Sequence, residues 1–276
     1  MSIFAMIKEA LRIARTHKSL WIFGFLVGFG GNVNFGGRGE QVGLPVPAAP
    51  PELGTIVSIG LVVVAVLVVA VILRFLSTGA LIEGVRRALS NDSMTVSEGF
   101  REGWAHWGVL FRIGLLYLLF NAISAIVLFG GCMLVWRVFG SPAVFVAGGI
   151  AALIGIPWLL TLYMWQSFAE RIAVLEDRRA LDAIYKARLF LHGRLRLGLK
   201  LLAAGFLGVF FVFFVGAALI APIAAIVIAS AAAWGVVGAV GLGLLTLLPA
   251  AFVAFAVIGI VTSSVWTIGY LQQVEQ

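Results

Sequence analysis

Three observations predict an all-helical integral membrane protein with six spans. Thr55 to Leu73 is an uncharged run of nineteen residues, and a run of about 18 or more apolar residues matches the ~30 Å hydrocarbon core of a bilayer. Only 11% of the 276 residues are charged while 62% are hydrophobic, against about 25% charged in soluble domains. Lysine and arginine lie between the apolar runs, where they mark loops. A soluble fold of this length cannot bury so much apolar surface.

Uncharged runs define the spans. The last run has 74 residues, about 110 Å as one helix, so it must fold back on itself. Its predicted turn is Ala229 to Gly238, where serine and glycines interrupt a small-residue segment. The first run is the weakest, because its strongly apolar part is short. The runs are Ser19 to Gly37, Thr55 to Leu73, Ile113 to Trp136, Val138 to Ala169, and Leu201 to Val274 with two spans.

The distribution of basic residues predicts the orientation, because cytoplasmic loops carry the excess of lysine and arginine. Only Arg38 and Arg137 fall on the side opposite the amino terminus, against sixteen on its own side. We therefore expect both termini in the cytoplasm. A cleaved signal peptide is the alternative for the first run, but further spans follow it. The sixteen are Lys8, Arg12, Arg15, Lys18, Arg86, Arg87, Arg101, Arg112, Arg171, Arg178, Arg179, Lys186, Arg188, Arg194, Arg196 and Lys200.

A threefold internal repeat organises this single polytopic domain, residues 1–276. Each unit is predicted to be an interfacial amphipathic helix followed by a helical hairpin, with the three hairpins around a common centre. Parallel repeats of this kind occur in transporters. They also occur in bundles made by triplication of a gene fragment, so the repeat favours no single function. The units cover about 1–90, 91–178 and 179–276, with an acidic residue near each start: Glu9, Glu98 and Asp182.

The interfacial helices are predicted from their patterns. Ile3 to Arg15 carries apolar residues on one face and basic residues on another, so we expect its apolar side to lie in the acyl boundary. Thr95 and Glu98 have the spacing of a capping box that opens the second helix. Asp182 to His192 gives the third. Gly24 and Gly28 fit the small-xxx-small pattern of close helix contacts.

Three segments resemble a known family: Lys18 to Phe25 (KSLWIFGF), Gly99 to Leu116 (GFREGWAHWGVLFRIGLL) and Trp266 to Gln273 (WTIGYLQQ). They are similar to six-span bacterial membrane proteins related to the membrane domain of glycerophosphodiester phosphodiesterases. The resemblance implies the six-span architecture and a location in the bacterial cytoplasmic membrane. In that family the phosphodiester chemistry belongs to a separate soluble barrel domain, which has no counterpart in these residues. No activity is therefore transferred.

Few residues within the spans carry polar chemistry. Arg74 interrupts a helix predicted to continue to Leu89, and an ionisable group in a span is a functional-site hypothesis by default. Its candidate partners are Glu83 and Glu170, with structural pairing favoured over transport. Small polar pairs near the cytoplasmic end of each second span are Ser77 and Thr78, Gln166 and Ser167, and Ser263 and Ser264. The candidate membrane positions are Arg74, Glu83, Arg112, Glu170, Ser263 and Ser264.

The three histidines, His17, His106 and His192, are each predicted at the turn between an interfacial helix and a span. Three imidazoles that met at a common axis would suit zinc. The favoured interpretation is that each extends separately to the headgroup level. Cys132 lies in an apolar run, so no disulfide framework is expected, and we expect no metal or cofactor.

The leading functional hypothesis is a non-enzymatic scaffold or accessory protein that organises membrane lipid or a partner membrane protein. Its spans lack polar groups at mid-depth, while its cytoplasmic rim is basic and aromatic, and each such charge near anionic lipid contributes about 1 kcal/mol. The alternative is a transporter or flippase of a lipid or small amphiphile, which needs a central cavity lined by Arg74 or by Ser263 and Ser264. An enzyme would need a partner chain to supply catalytic groups. We expect no nucleic-acid partner.

Overall fold

The computed structural model describes residues 2–31 and 53–274, and within these residues it contains α-helices and no strand. Of the predicted first span, Ser19 to Gly37, the residues after Gly31 lie outside the described ranges, as does Arg38. The helices are α1 (Ile3–Thr16), α2 (Leu20–Gly31), α3 (Leu53–Leu89), α4 (Val96–Phe139), α5 (Ser141–Leu175), α6 (Ala180–Leu191) and α7 (Leu195–Val274).

The long final helix folds back as predicted. α7 is broken at Gly235, whose φ of 71° and ψ of 175° are accessible to glycine without a Cβ penalty. A Cβ on Gly243 would lie 3.2 Å from the Val227 side chain, so the two arms of α7 run side by side. The chain has the architecture of a helical multi-pass membrane protein. Five of its described helices are long and apolar enough to span a bilayer: Val57–Leu89, Val96–Phe139, Ser141–Leu175, Leu195–Ser230 and Val240–Val274.

Two local predictions are confirmed at helix ends. α4 opens with the predicted capping box: the Thr95 hydroxyl accepts from the Glu98 backbone N–H at 3.3 Å, and the Glu98 carboxylate accepts from the Thr95 N–H at 2.8 Å. These bonds satisfy donors that a helix start otherwise leaves free. α3 continues without a break past Arg74 to Leu89, for 37 residues.

The predicted turn at His106 is wrong. α4 is one helix of 44 residues that passes through His106, so the second interfacial helix and its span are continuous. His17 and His192, in contrast, are the C-caps of α1 and α6. The difference between α4 and α6 has a local cause. Gly193, with a φ of 79° in the left-handed region, stops the helix after α6, whereas no proline or left-handed glycine interrupts α4.

The apolar side of α1 faces protein rather than lipid, which corrects a second prediction. Met6, Ala10, Ile13 and Ala14 are buried, and α1 packs against α7. Of the apolar side chains in α1, Phe4 is the most exposed, at 81%. The buried side chains of α1 pack against the apolar surface that α7 offers.

Glycines bring helix backbones into direct contact. A Cβ on Gly259 would overlap the Gly24 carbonyl, and a Cβ on Gly28 would overlap the Phe255 carbonyl, so α2 and α7 touch along their backbones. In α3 and α4, a Cβ on Gly79 would lie 3.4 Å from the Gly103 Cα. Such contacts drive helix association in lipid, where apolar side chains gain little by leaving the acyl chains.

Packing is concentrated at the end of the molecule that carries the basic residues. The buried core contains α1, α6, the carboxyl-terminal parts of α3 and α5, the start of α4, and the two ends of α7. Toward the other end α3 is exposed at every residue from Val57 to Val71, whereas α4 and α5 stay in contact, with the Trp158 indole donating to the Ser124 hydroxyl at 2.9 Å. The molecule is thus one packed body at the basic end, from which α3 extends as an exposed helix.

The glycine contacts predict the effect of adding a single methyl group. Gly259→Ala should destabilise the protein by about 1–3 kcal/mol, because the new Cβ forces two backbones apart. Gly148→Ala is the matched control, since nothing lies within 4 Å of its Cβ position. The measurement is thermal unfolding of both variants in the same detergent. Equal melting temperatures for the two variants would contradict the backbone contact.

Candidate functional site

Polar side chains are buried where the second helices of the three predicted units meet. α3, α5 and α7 contact one another, and each places a serine in the packed region. Ser77, Ser167 and Ser264 have relative exposures of 0%, 5% and 0%. We call the polar cluster the group formed around α5 by Arg74, Tyr117, Tyr163, Gln166, Ser167, Glu170 and Arg171.

Arg171 is the most buried charge of the polar cluster, with 4% of its surface exposed. Its Nη1 donates to the Ser167 carbonyl at 2.7 Å and lies 3.4 Å from a Glu170 carboxylate oxygen. Because Ser167 is one turn earlier in α5, the guanidinium extends along the helix away from the basic end. Among the described residues its Nε has no hydrogen-bond partner.

Glu170 connects the two arginines of the polar cluster. Its carboxylate accepts from the Gln166 amide at 3.0 Å, and it lies within electrostatic range of Arg74 on α3 and Tyr117 on α4. Glu170 therefore serves two cations. With one carboxylate for Arg74 and Arg171, the formal net charge of the polar cluster is +1.

Three hydroxyls near the centre have no hydrogen-bond partner among the described residues: Ser77 Oγ, Tyr117 OH and Ser264 Oγ. Helical serines commonly donate to the carbonyl one turn earlier, and neither Ser77 nor Ser264 does so. A buried polar group left unpaired costs about 1–3 kcal/mol. The centre of the bundle thus holds donors that the protein itself does not use.

The polar cluster is closed on one side and open on the other. Phe168 packs at 5.1–5.3 Å, between ring centroids, against Phe190 and Trp266, and these rings with Tyr270 fill the centre toward the basic end. On the opposite side Tyr163 remains 45% exposed, although its ring lies 5.8 Å from that of Trp266. Arg74 is exposed as well. The polar cluster is thus exposed at Arg74 and Tyr163 and buried at Arg171 and Tyr117.

The other predicted membrane positions lie elsewhere. Glu83 pairs with Arg86 at 2.8 Å and Arg87 at 3.1 Å, so it is not the partner of Arg74. Arg112 is exposed on α4. Ser263 is buried, and its carbonyl accepts from the Thr267 hydroxyl at 2.9 Å.

The three histidines do not come together. His17 and His192 cap different helices, and His106 Nε2 lies 3.7 Å from an Asp177 carboxylate oxygen. Across residues 2–31 and 53–274, no group of three or more His, Cys, Asp or Glu side chains is placed to hold a metal ion. The geometry gives the zinc interpretation no support.

Arg171, Tyr163 and Tyr117 are the members of the polar cluster that sequence reasoning missed. Arg171 was counted among the cytoplasmic loop charges, because it follows the last uncharged residue of its run. A signal was present: Tyr163, Ser167 and Arg171 recur at four-residue spacing, which places them on one helix face. Tyr117 carries no such signal, because an aromatic residue in a span is ordinarily a packing residue.

A second candidate surface lies at the basic end, where three helices expose basic and large apolar side chains together. On α6, Tyr185 is 71% exposed beside Arg188; on α4, Trp104 is 59% exposed beside Arg101. We call this the basic-aromatic face. It consists of Phe4, Lys8 and Arg15 on α1, Arg101 and Trp104 on α4, and Leu181, Tyr185, Arg188 and Leu189 on α6.

Glu176 holds α6 in position. Its carboxylate accepts from Lys186 Nζ at 2.6 and 2.9 Å and from the Tyr270 hydroxyl, so it links the end of α5 to α6 and α7. Burial raises the pKa of Glu176, but the hydrogen bonds from Lys186 and Tyr270 and the nearby Arg178 charge outweigh that effect and lower it below 4.5. The ionised carboxylate is the form that stabilises this junction.

The fold defines a helical multi-pass membrane protein with a buried polar cluster. No protein-family profile, curated protein or solved structure matches the chain. The resemblance to the membrane domain of glycerophosphodiester phosphodiesterases therefore stays a prediction from three segments.

The Glu176 junction predicts a pH-dependent stability. Since the folded-state pKa is lowered, the stabilisation is fully present above about pH 5 and is lost as the pH falls through the lowered value. At pH 7, Glu176→Gln should therefore lower the free energy of unfolding by about 1 kcal/mol relative to the wild type, seen as a lower melting temperature. The difference should disappear in acid. Asp177→Asn is the control, because the Asp177 side chain is 97% exposed. A difference that stays constant as the pH falls from 7 into acid would refute the ionised junction.

Proposed function

We propose that this protein is a non-enzymatic membrane scaffold or accessory protein that organises lipid or a partner membrane protein at the cytoplasmic face. The observation that carries the proposal is the contrast at the basic end. There the centre is filled by Phe168, Trp266 and Tyr270, whose residues are at most 2% exposed, while the basic-aromatic face outside it is exposed. A filled centre suits an anchor, and an exposed surface suits recognition.

The positions of the charges support the proposed orientation, with both termini in the cytoplasm. Among the described residues, Arg137 is the one charged side chain at the end opposite the basic end. The other charged side chains lie at the basic end or, like Arg74, at its margin. This asymmetry is the pattern of cytoplasmic loops. The bacterial cytoplasmic membrane is the proposed location, since the resembling proteins reside there.

The packing of α2 supports a sixth crossing. A Cβ on Gly84 would overlap the Leu20 side chain, so α2 starts beside the carboxyl-terminal part of α3. The ring of Phe25 lies 4.7 Å from that of Phe252 on α7, so α2 runs into the bundle from the basic end. α2 therefore leaves the basic end, where α3 finishes, and is the proposed sixth crossing.

The basic-aromatic face fits an anionic membrane surface. Each basic residue near anionic lipid contributes about 1 kcal/mol, and the apolar and aromatic side chains beside it suit the interfacial region. α6 shows this most clearly, because it buries Ala183, Ala187 and Leu191 in the protein and exposes Leu181 and Leu189. The same surface can bind the juxtamembrane part of a partner.

A transporter or flippase is the second candidate, favoured by the exposure of Arg74 and Tyr163. Prolines inside helices also favour it: Pro157, Pro222 and Pro249. Against it, packed aromatic rings fill the centre between the polar cluster and the basic end. Two cavities of about 200 and 220 Å³ lie near His17 and near Trp136, at opposite ends of the molecule. Neither is lined by Arg74, Ser263 or Ser264.

Photo-crosslinking from the basic-aromatic face tests the proposed role. A photoreactive phenylalanine analogue at Tyr185 or Trp104, in the full-length protein in its own membrane, should give an adduct of defined mass with one polypeptide or with lipid headgroups. The matched control is Phe145, which is 80% exposed but lies at the opposite end. Identical adducts from all three positions would mean that the basic-aromatic face recognises nothing.

A further inference from the structure

We propose that the polar cluster is a binding site for a phosphate group, supplied by the headgroup of a phospholipid in the cytoplasmic leaflet. The ligand approaches along the exposed apolar surface of α3 and is held by Arg74 and Arg171. This inference goes beyond the proposed function, which concerns the exposed basic-aromatic face, because it concerns a site inside the bundle.

The charge of the polar cluster calls for an anion. A buried cation is costly unless it is paired and hydrogen-bonded. Arg171 has one carboxylate at 3.4 Å, and Glu170 is shared with Arg74 and with the Gln166 amide. Among the described residues, no carboxylate lies within 4 Å of the Arg74 guanidinium. One additional negative charge would neutralise the polar cluster.

Each unpaired group can donate a hydrogen bond, and phosphate oxygens accept. Arg171 Nε and Tyr117 OH belong to side chains that are 4% and 2% exposed, and neither has a partner in the described protein. Arginine donates and never accepts, and its planar fork matches phosphate oxygens. The buried hydroxyls of Ser77, one turn after Arg74, and Ser264 add donors near the centre. A cationic ligand would be attracted by one carboxylate and repelled by two arginines.

The depth of the polar cluster is that of lipid phosphates. Arg74 follows the nineteen uncharged residues Thr55 to Leu73, about 28 Å of helix at 1.5 Å per residue, which is close to the ~30 Å hydrocarbon thickness. Arg74 therefore lies at the cytoplasmic headgroup level. Arg112 lies at the same level on α4, just before the uncharged run from Ile113 to Trp136.

The path to the polar cluster favours a lipid over a free phosphate ion. The centre toward the cytoplasm is filled by the rings of Phe168 and Trp266, and α3 is exposed from Val57 to Val71, shortly before Arg74. That exposed surface is apolar and suits acyl chains. A phospholipid can lay its tails along it while its phosphate contacts Arg74, whereas a free ion makes the phosphate contact alone.

Native mass spectrometry of the delipidated full-length protein tests this site. Three probes are titrated separately: phosphatidylglycerol, diacylglycerol with the same acyl chains but no phosphate, and inorganic phosphate. We expect phosphatidylglycerol to bind at least tenfold more tightly than diacylglycerol, the change expected for loss of charge-assisted hydrogen bonds. Binding of inorganic phosphate as tightly as the lipid would assign the site to the free ion and overturn the lipid source.

Variants locate the binding. Arg74→Gln should weaken phosphatidylglycerol about tenfold, while the matched control Arg112→Gln, an exposed arginine at the same depth, should not. Tyr117→Phe removes an unpaired hydroxyl without changing the shape of the core. It should also weaken phosphatidylglycerol binding, and it tests the site even if Arg74→Gln fails to fold. Equal affinities for the two lipids, or equal losses in Arg74→Gln and Arg112→Gln, would overturn the site. Either result would leave the crosslinks from Tyr185 and Trp104 unaffected.

Discussion

Direct contact between helix backbones is the interaction on which the structure depends. In lipid, apolar side chains gain little by moving from acyl chains to another helix, so association requires close packing and polar contacts. At Gly24, Gly28 and Gly259 the absence of side chains lets α2 and α7 touch, and Gly79 and Gly103 do the same for α3 and α4. These contacts set the position of α2 against α7 and of α3 against α4, in the packed region where Ser77, Ser167 and Ser264 are buried.

The packed layer separates two surfaces with different chemistry. Toward the basic end, aromatic rings close the centre and Glu176 ties α6 to α7, so the basic-aromatic face is presented on a rigid support. Toward the opposite end, α3 is exposed from Val57 to Val71, shortly before Arg74 of the polar cluster. In the proposed orientation the protein would meet the cytoplasm and the lipid on opposite sides of one core, which suits the proposed anchoring role.

Features set by local sequence were predictable from the sequence, and features set by tertiary contact were not. The capping box at Thr95, the continuous α3 and the break at Gly235 follow from short-range rules and are present. The continuity of α4 through His106 was missed, because the turn was inferred from the other two units. The burial of Arg171 was missed because its surroundings come from three helices that are distant in sequence.

Cysteine accessibility is the most direct test of a closed centre with Tyr163 exposed to lipid. Replacing Cys132, the one cysteine in the sequence, gives a background for single cysteines at Ser2, Tyr163 and Ser264. The account predicts that a charged, membrane-impermeant thiol reagent modifies Ser2→Cys from the cytoplasmic side alone, and modifies Tyr163→Cys and Ser264→Cys from neither side. A lipid-soluble maleimide should reach Tyr163→Cys but not Ser264→Cys. Modification of Ser264→Cys by the charged reagent would show an aqueous path through the centre and contradict the account.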